Sequence, residues 1–294
     1  MFNSELFVGQ RVLITGGGTG LGLAMAEQLA ALGAELHLCG RRASVLDTAA
    51  EELRSRHGVK VVTHPLDIRS FEAVDAMMET IWQTHGPLTA LVNNAAGNFI
   101  SRTEDLSVGG FHAISDIVFR GTFYATQAAG KRWIAGGQRG SVLSIVVTWV
   151  ATGSPFVVPS AMSKAGVDVM TKSLAVEWGP KGIRLNAIAP GVIPTEGASG
   201  RLRPGSDNKQ DQRTQENPMR RLGEGADIGR LAAFLLAPQN DWINGQTITL
   251  DGGDALANGA YFTSYQDWGD EQWRAARARI EALNAADKAQ RGAG

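Results

Sequence analysis

A glycine-rich stretch near the amino terminus has the composition of a phosphate-binding loop. After the apolar run 11–15 the chain reads Gly-Gly-Gly-Thr-Gly-Leu-Gly over residues 16–22, and a helix-like pattern follows. Backbone N–H groups and a helix N-terminus can face a pyrophosphate there, because glycine has no Cβ atom to block the approach. The spacing, G-x-x-x-G-x-G, differs from the common G-x-G-x-x-G fingerprint. We therefore predict a dinucleotide site, with a plain tight turn as the alternative.

Two arginines follow the second apolar run, 35–39, in the order Cys39-Gly40-Arg41-Arg42. At the end of this strand a carboxylate would bind the 2′-hydroxyl of the adenosine ribose, whereas a guanidinium would bind a 2′-phosphate. No acid lies at the tip, so Arg41 and Arg42 predict NADP(H) as the cofactor. A solvated turn is the alternative for two adjacent arginines.

A hydroxyl and an ammonium are spaced for the same face of a later helix. The stretch 160–178 has helical periodicity, and Ser160 and Lys164 are four residues apart within it. Side chains at this spacing are neighbours on a helix. The pair is therefore a candidate part of a reactive site.

Short apolar runs alternate with helical patterns along most of the chain, and these elements must position the candidate residues. The predicted strands are 11–15, 35–39, 60–66, 90–94, 141–147, 184–189 and 246–250. The predicted helices are 21–32, 45–56, 71–84, 111–134, 160–178 and 228–236. Nearly continuous apolar strands are typical of parallel sheets covered on both faces. The alternation predicts an α/β protein with a single-domain, doubly wound Rossmann fold, in which helices flank a seven-stranded parallel sheet.

Two segments interrupt this alternation. The polar stretch 194–218 lies beyond the end of a predicted strand, where long excursions are ordinarily lids or substrate-binding loops. We therefore assign 1–253 to one nucleotide-binding domain that includes this loop. The remainder, 254–294, is predicted to be an extension packed on the same domain, with a charged helix at 270–288.

Composition excludes several classes of protein. The 294 residues include 28 Lys and Arg against 29 Asp and Glu, so the net charge of −1 gives no reason to expect a nucleic-acid or membrane partner. The single cysteine, Cys39, cannot form an intrachain disulfide, which is typical of a reducing compartment. The start lacks a signal-peptide pattern and no apolar run approaches 18 residues, so we expect a cytoplasmic protein.

Three motifs together resemble the short-chain dehydrogenase/reductase superfamily. They are TGGGTGLG, Asn93-Asn94-Ala95-Ala96-Gly97 and Pro190-Gly191, and the resemblance extends over about residues 9–253. It implies a cofactor site made by Gly16, Gly18, Thr19, Gly20, Leu21, Asp67, Asn94, Lys164, Pro190, Gly191 and Ile193. Asp67 matches the position that contacts adenine, although an N-cap for the helix at 71–84 is an equal alternative.

Three of the usual catalytic residues of that superfamily are replaced. Its Tyr-x-x-x-Lys motif is Ser160-x-x-x-Lys164 here, its earlier serine is Val147, and its helix asparagine is Arg120. A serine hydroxyl cannot replace the phenol as an acid, because alcohols are far weaker acids than a tyrosine of pKa ~10. The standard proton relay for alcohols and ketones is therefore absent.

One branch of the superfamily lacks the tyrosine at that position, the NADPH-dependent 2,4-dienoyl-CoA reductases of fatty-acid β-oxidation. The chain is similar to it in GNFIS (97–101), GSPFVVPS (153–160), WING (242–245) and EQW (271–273). The resemblance implies reduction of 2,4-dienoyl-CoA to enoyl-CoA by a homotetramer. It places Asn98 and Trp149 at the thioester oxygen and Lys164 at the nicotinamide ribose, with the Ser160 hydroxyl nearby.

Some of these roles have plainer alternatives. Trp149 stands where this branch has its displaced tyrosine, and an indole N–H can donate a hydrogen bond but has no useful acidity. Trp149 is equally consistent with a plain cleft wall, and Asn98 with a turn residue after Gly97.

The resemblance also indicates a coenzyme A site and subunit contacts. Arg69 and Arg201 would pair with the phosphates, Phe99 would line the acyl path, and Ser107 belongs to the same set. Isolated arginines are mostly solvated, so that alternative stays open for both. Apolar residues of the helix 160–178 are expected to form oligomer contacts.

Two other functions compete with this one. The chain is also consistent with an NADP-dependent reductase of a different carbonyl or enone substrate. Because both tyrosine positions hold other residues, a non-catalytic NADP(H)-binding protein is the third alternative.

Overall fold

Seven strands form one parallel sheet in the order β3-β2-β1-β4-β5-β6-β7. They are β1 (Arg11–Thr15), β2 (Glu35–Gly40), β3 (Val61–Pro65), β4 (Ala90–Asn93), β5 (Gly140–Ile145), β6 (Ile183–Pro190) and β7 (Thr247–Leu250). The predicted fold class is confirmed, and the predicted runs agree with the strands to within two residues at every end.

The computed structural model describes residues 2–195, 214–257, 268–276 and 278. Its helices are α1 (Gly20–Ala30), α2 (Ala43–His57), α3 (Phe71–Thr84), α4 (Val108–Ser115), α5 (Thr122–Ala135), α6 (Val158–Trp178), α7 (Gly225–Leu236) and α8 (Asp254–Ala257). The chain divides into two units, residues 1–255 and 256–294. In the second unit, 270–276 are helical, as predicted for the start of 270–288. Packing of this extension on the first unit stays a prediction.

Two hydrophobic clusters cover the two faces of the sheet. One cluster joins the sheet to α1, α2 and α7, and the other joins it to α3, α5 and α6. Successive strand residues point to opposite faces. Val12 and Ile14 of β1 therefore belong to the first cluster and Leu13 to the second. A strand with buried residues on both faces is apolar throughout, which explains the continuous apolar runs.

The predicted helix 111–134 is divided in two by a wider turn. Asp116–Gly121 form a π-helical segment between α4 and α5. Gly121 lies against Ile68, and a Cβ atom at residue 121 would be 2.7 Å from that side chain. The sequence-based prediction missed this turn because the apolar periodicity continues through it. Such π turns are frequent at functional sites.

The strand order fixes where a ligand can bind. β1 and β4 are neighbours in the middle of the sheet. The chain continues from β1 to β2 on one side and from β4 to β5 on the other, so it leaves the two strands in opposite directions. In open α/β sheets this divergence opens a crevice at the carboxyl ends of the strands. No helix among the described residues is both long and apolar enough to cross a bilayer.

Candidate functional site

The glycine-rich loop is held to the end of β4 by a small polar network. The Asn94 side-chain amide donates to the carbonyls of Thr15 (3.0 Å) and Gly16 (3.2 Å). The Thr15 hydroxyl accepts from the backbone N–H groups of Asn94 (3.0 Å) and Ala95 (3.1 Å). Asn94, predicted as a cofactor residue, thus positions the loop that would hold the pyrophosphate.

Sequence reasoning missed Thr15 as part of this network. Its hydroxyl also donates to the carbonyl of Val92 at 3.3 Å, so one side chain joins β1 to β4. A hydroxyl at the last position of β1 was visible in the sequence. Its partner is 79 residues away, and only the strand order brings the two together.

Two glycines of the loop are required by its conformation. Gly16 has a φ of +66°, in the left-handed region that other residues avoid. At Gly22 a Cβ atom would lie 2.2 Å from the Gly16 carbonyl oxygen and 2.6 Å from the Asn94 amide nitrogen. Helix α1 can therefore approach the loop only with glycine at residue 22.

The start of α1 has the features of an anion site. Thr19 is the N-cap residue, its side chain makes no capping hydrogen bond, and the first turn contains no acid. The first N–H groups of a helix lack intrahelical partners and attract negative charge. Gly18 and Gly20 flank Thr19, and Leu21 packs on the first hydrophobic cluster. These residues fit the pyrophosphate of a nicotinamide dinucleotide.

The segment after β6 lies beside this loop. Pro190 ends β6, and a Cβ atom at Gly191 would be 2.5 Å from that of Asp251, so the chain can pass there only as glycine. Ile193 packs on the first hydrophobic cluster. Thr195 contacts the position where Gly20 would carry a side chain, at 3.4 Å. Pro190, Gly191 and Ile193 therefore lie at the carboxyl end of the sheet, and their contact with a cofactor stays a prediction.

Arg41 and Arg42 lie at the start of α2, and both are exposed. Neither guanidinium has an ion-pair partner among the described residues. Arg42 is the N-cap residue of α2 and makes no side-chain capping bond. The guanidinium groups of Arg41 and Arg42, just after the end of β2, could therefore bind a phosphate.

Asp67 and Arg69 bind each other. The Arg69 guanidinium donates to Asp67 Oδ2 at 2.6 and 2.9 Å, and this pairing lowers the pKa of Asp67. Ser70 caps α3, because its hydroxyl accepts from the Ala73 N–H at 3.2 Å. The prediction that Asp67 could instead be this N-cap is wrong. For Arg69 to contact a coenzyme A phosphate, the phosphate would have to compete with Asp67.

Lys164 is buried in α6 with only 6% of its surface exposed. Its ammonium donates to the Ile145 carbonyl at the end of β5. Burial lowers the pKa of Lys164 to about 8. Lys164 is therefore not a surface lysine. Ser160, one turn earlier in α6, is also buried.

Trp149 holds an indole N–H that is buried without an acceptor. It lies in the short 3-10 helix Thr148–Val150 that follows β5. Its Nε1 finds no hydrogen-bond partner among the described residues. An unpaired buried donor costs about 1–3 kcal/mol, so a bound acceptor at this position would gain that energy back. Val147, where the superfamily has a serine, immediately precedes this helix.

The loop after β4 carries Asn98, Phe99 and Ser107. Asn98 Oδ1 accepts from the Phe99 N–H at 2.9 Å, which leaves its amide N–H groups as the donors. Ser107 caps α4 through a bond from the Gly110 N–H at 3.0 Å. The Ser107 hydroxyl therefore has a structural role, whether or not it also meets a ligand.

A hydrogen bond of 2.9 Å from the Ser101 N–H to the Phe156 carbonyl joins this loop to the loop before α6. Phe156 has a φ of +65°, which is strained for a residue with a side chain. This bond links the loop that carries Asn98 to the loop that follows Trp149. Both loops lie at the carboxyl ends of the strands. Sequence reasoning missed Phe156, because nothing in its neighbourhood marks a left-handed conformation.

Arg120 is oriented to solvent by the π-helical turn. It is exposed and binds Asp116 Oδ1 (3.1 Å) and the Tyr124 hydroxyl (2.9 Å). The Arg120 side chain is therefore paired with Asp116 and Tyr124, which lie four residues before it and four residues after it. Arg201 lies outside the described residues.

A protein-family model described as Enoyl-(Acyl carrier protein) reductase matches residues 16–254. A relative from Caenorhabditis elegans, described as "Probable 2,4-dienoyl-CoA reductase" and (3E)-enoyl-CoA-producing, is 39% identical, with 96% of this chain and 93% of that protein covered. A relative from Bacillus subtilis, also described as "Probable 2,4-dienoyl-CoA reductase" but (2E)-enoyl-CoA-producing, is 42% identical over 83% of this chain and 96% of its own length.

The fold has a solved counterpart in a short-chain dehydrogenase from Bacillus anthracis. Its TM-score is 0.78 at 40% identity, with 86% of this chain and 98% of that chain covered. The similarity to known proteins therefore extends over nearly the whole length that forms the first unit.

Proposed function

The chain belongs to the short-chain dehydrogenase/reductase family of oxidoreductases, and from this premise we propose that it reduces a 2,4-dienoyl-CoA thioester with NADPH. The observation that carries this proposal is the buried indole N–H of Trp149, which has no acceptor among the described residues. The similarity to relatives described as 2,4-dienoyl-CoA reductases supports the substrate class.

The proposed chemistry needs donors at one oxygen atom. When bound, NADPH would supply a hydride to the δ-carbon of the conjugated thioester, and the resulting negative charge would spread to the thioester oxygen. The Trp149 Nε1–H and the Asn98 amide would donate to that oxygen. Removing one such donor typically lowers a rate by ~10²–10³-fold. Lys164 would hold the nicotinamide ribose, and Ser160 would supply a hydroxyl nearby.

The proton that completes the reduction must come from elsewhere. An indole N–H is a donor without useful acidity, and a serine hydroxyl is a far weaker acid than a phenol. Water is therefore the proposed source of the proton. A positioned general acid contributes about 10²–10⁴-fold, so turnover should be slow without one.

An acyl-CoA panel tests the proposal. Oxidation of NADPH is followed with a 2,4-dienoyl-CoA, a 2-enoyl-CoA and simple enones, and the products are identified by mass spectrometry. Turnover of the dienoyl thioester supports the proposal. Turnover of the other enones alone would assign a different reductase, and NADPH binding without any turnover would assign a non-catalytic binding protein.

NADPH is expected to bind at least about tenfold more tightly than NADH, a difference of roughly 1.4 kcal/mol. The physical reason is the charge-assisted pairing of Arg41 and Arg42 with the 2′-phosphate. Isothermal titration of both cofactors measures the difference, and Arg41→Ala with Arg42→Ala should remove it.

Arg56→Ala provides the matched control for this titration. Arg56 is an exposed arginine in the last turn of α2, where it binds Glu27 at 2.7 Å, away from the end of β2. This variant should keep the preference for NADPH. Equal affinities of the unchanged protein for the two cofactors would contradict the assignment.

The catalytic efficiency is expected to fall as the pH rises through about 8. Burial places the pKa of Lys164 near 8, so the residue is an ammonium below this pH and a neutral amine above it. Only the ammonium gives a charged hydrogen bond to the ribose hydroxyls. Because kcat/KM reports the ionisation of the free enzyme, its pH profile for NADPH measures this group. A flat profile between pH 7 and 9 would contradict the role of Lys164.

A homotetramer is expected, because an apolar face on the π-helical segment, α5 and α6 is open to solvent. Its residues are Phe119, Phe123, Ala165, Gly166, Val169 and Met170. Phe123 is 40% exposed and Val169 60%. Size-exclusion chromatography with light scattering should show the tetramer at micromolar concentration, and Val169→Asp should dissociate it. Val8→Asp, at an exposed valine before β1, is the control that should not.

A further inference from the structure

Three of the five histidines in the chain meet at one edge of the sheet. We call Glu35, His37, Lys60, His64 and His85 the histidine cluster. Glu35 and His37 lie two residues apart in β2 and therefore share a face of the strand. His85 is the C-cap residue of α3. Lys60 immediately precedes β3, and His64 lies within it. None of these residues belongs to the cofactor or substrate site.

Three of these side chains converge on one point. One potential ligand atom from each of Glu35, His37 and His85 lies within 4.8 Å of the other two. His37 Nε2 is 3.3 Å from Glu35 Oε1, and His85 Nδ1 is 3.9 Å from the same oxygen. In a tetrahedral zinc site with bonds of about 2.0–2.1 Å, neighbouring ligand atoms are about 3.3 Å apart. The His37–Glu35 separation already has this value, and the His85–Glu35 separation would have to shorten by about 0.6 Å.

The Lys60 ammonium marks the place of a cation in the cluster. Its Nζ is 3.0 Å from Glu35 Oε1 and 2.8 Å from His85 Nδ1. Since an ammonium only donates, His85 Nδ1 presents its lone pair there. The Lys60 side chain is 53% exposed, so it can leave for solvent and open a path to the other three residues.

We propose that the histidine cluster binds a divalent transition metal of the zinc class, with Glu35, His37 and His85 as protein ligands and Lys60 as a built-in competitor. Two imidazoles and one carboxylate form a donor set that zinc uses in proteins, with a fourth position left for water. The metal would join β2 to the end of α3.

His64 lies against the ring nitrogen of His37 that faces away from the proposed metal. His37 Nδ1 and His64 Nε2 are 2.8 Å apart. With a metal on His37 Nε2, the Nδ1 proton of His37 would donate to His64. A ligating histidine ordinarily makes such a bond with its other nitrogen. His37 is fully buried, so this ring is held in place between Glu35 and His64.

The nearby cations set the expected affinity. Arg11 and Lys60 both lie within ion-pair distance of the Glu35 carboxylate. Arg11 Nη2 binds Glu35 Oε2 at 3.2 Å, and its Nε lies 3.1 Å from Oε1, so a metal at Oε1 would have to displace the guanidinium from that oxygen. Its positive charge weakens metal binding, and Lys60 must be displaced. We therefore expect a dissociation constant in the micromolar range rather than the much tighter values of structural zinc sites.

The test is titration of the tag-free full chain with Zn²⁺, and with Co²⁺ as a spectroscopic probe. One metal per chain is expected, with the visible bands of four-coordinate Co²⁺. Lys60→Met should bind Zn²⁺ at least about tenfold more tightly, and His85→Gln at least about tenfold more weakly. The readout is metal binding and does not need reductase activity, because the histidine cluster is separate from the proposed cofactor and substrate site.

His112→Gln is the matched control, since His112 is exposed on α4 and outside the cluster. It should leave the affinity unchanged. The proposal is overturned by dissociation constants weaker than about 100 µM in both the unchanged protein and Lys60→Met. It is also overturned if Lys60→Met has no effect on affinity. This second comparison does not depend on whether His85→Gln folds.

Discussion

Replacing Lys164 with methionine is expected to lower kcat for dienoyl-CoA reduction by about 100-fold or more. The substitution keeps the length of the side chain but removes the ammonium that donates to Ile145 and would hold the nicotinamide ribose. A displacement of about 1 Å in the reacting groups can cost ~10²-fold in rate. Steady-state kinetics measure the loss, and isothermal titration with NADPH measures cofactor binding separately.

Lys172→Met is the matched control for this variant. Lys172 lies two turns later in α6, with its side chain 55% exposed and paired to Asp168 at 2.5 Å. It should retain normal turnover. An undiminished kcat in Lys164→Met would remove this lysine from the site, while the proposed substrate could still be turned over.

Changing Trp149 to tyrosine is expected to raise kcat by at least ~10²-fold. The indole can donate a hydrogen bond but not a proton, whereas a phenol at this position can do both. A positioned general acid is worth about 10²–10⁴-fold, and the unchanged protein has none at this place. Single-turnover and steady-state measurements with dienoyl-CoA and NADPH give the rates of the two proteins.

Trp149→Phe separates the donor from the aromatic wall. Removing the Nε1–H should lower the native rate by ~10²–10³-fold if this donor stabilises the thioester oxygen. Trp82→Phe is the control, because Trp82 in α3 also has a buried Nε1 without an acceptor among the described residues, but lies in the second hydrophobic cluster. Its kcat should not change. Equal rates in the unchanged protein, Trp149→Tyr and Trp149→Phe would show that residue 149 only lines the cleft.

The sheet and its flanking helices were predictable from local sequence. Continuous apolar runs such as Arg11–Thr15 identify strands buried on both faces, and the predicted helix Phe71–Thr84 agrees with the observed one at both ends. The glycine loop was equally predictable, because the left-handed φ of Gly16 and the close approach at Gly22 both depend on residue type. In these cases the information lies within a few positions of the residue concerned.

The partners of individual polar side chains were decided only by the tertiary structure. The sequence offered Arg69 as a phosphate ligand, but the turn after β3 places its guanidinium on Asp67. It offered Trp149 as donor or wall, and only the tertiary structure buries its Nε1 away from every described acceptor. The histidine cluster had no local signature, since its members come from β2, the approach to β3, β3 itself and the end of α3.

The sequence by itself therefore determined the class of fold, the glycine loop and the positions that hold the candidate residues. The tertiary structure decided which side chains are buried, paired or left with an unused donor. The physical reason is range. Apolar periodicity and glycine conformation act between neighbours in the chain, whereas hydrogen-bond partners such as Thr15 and Asn94 lie 79 residues apart and meet only once the strand order is set.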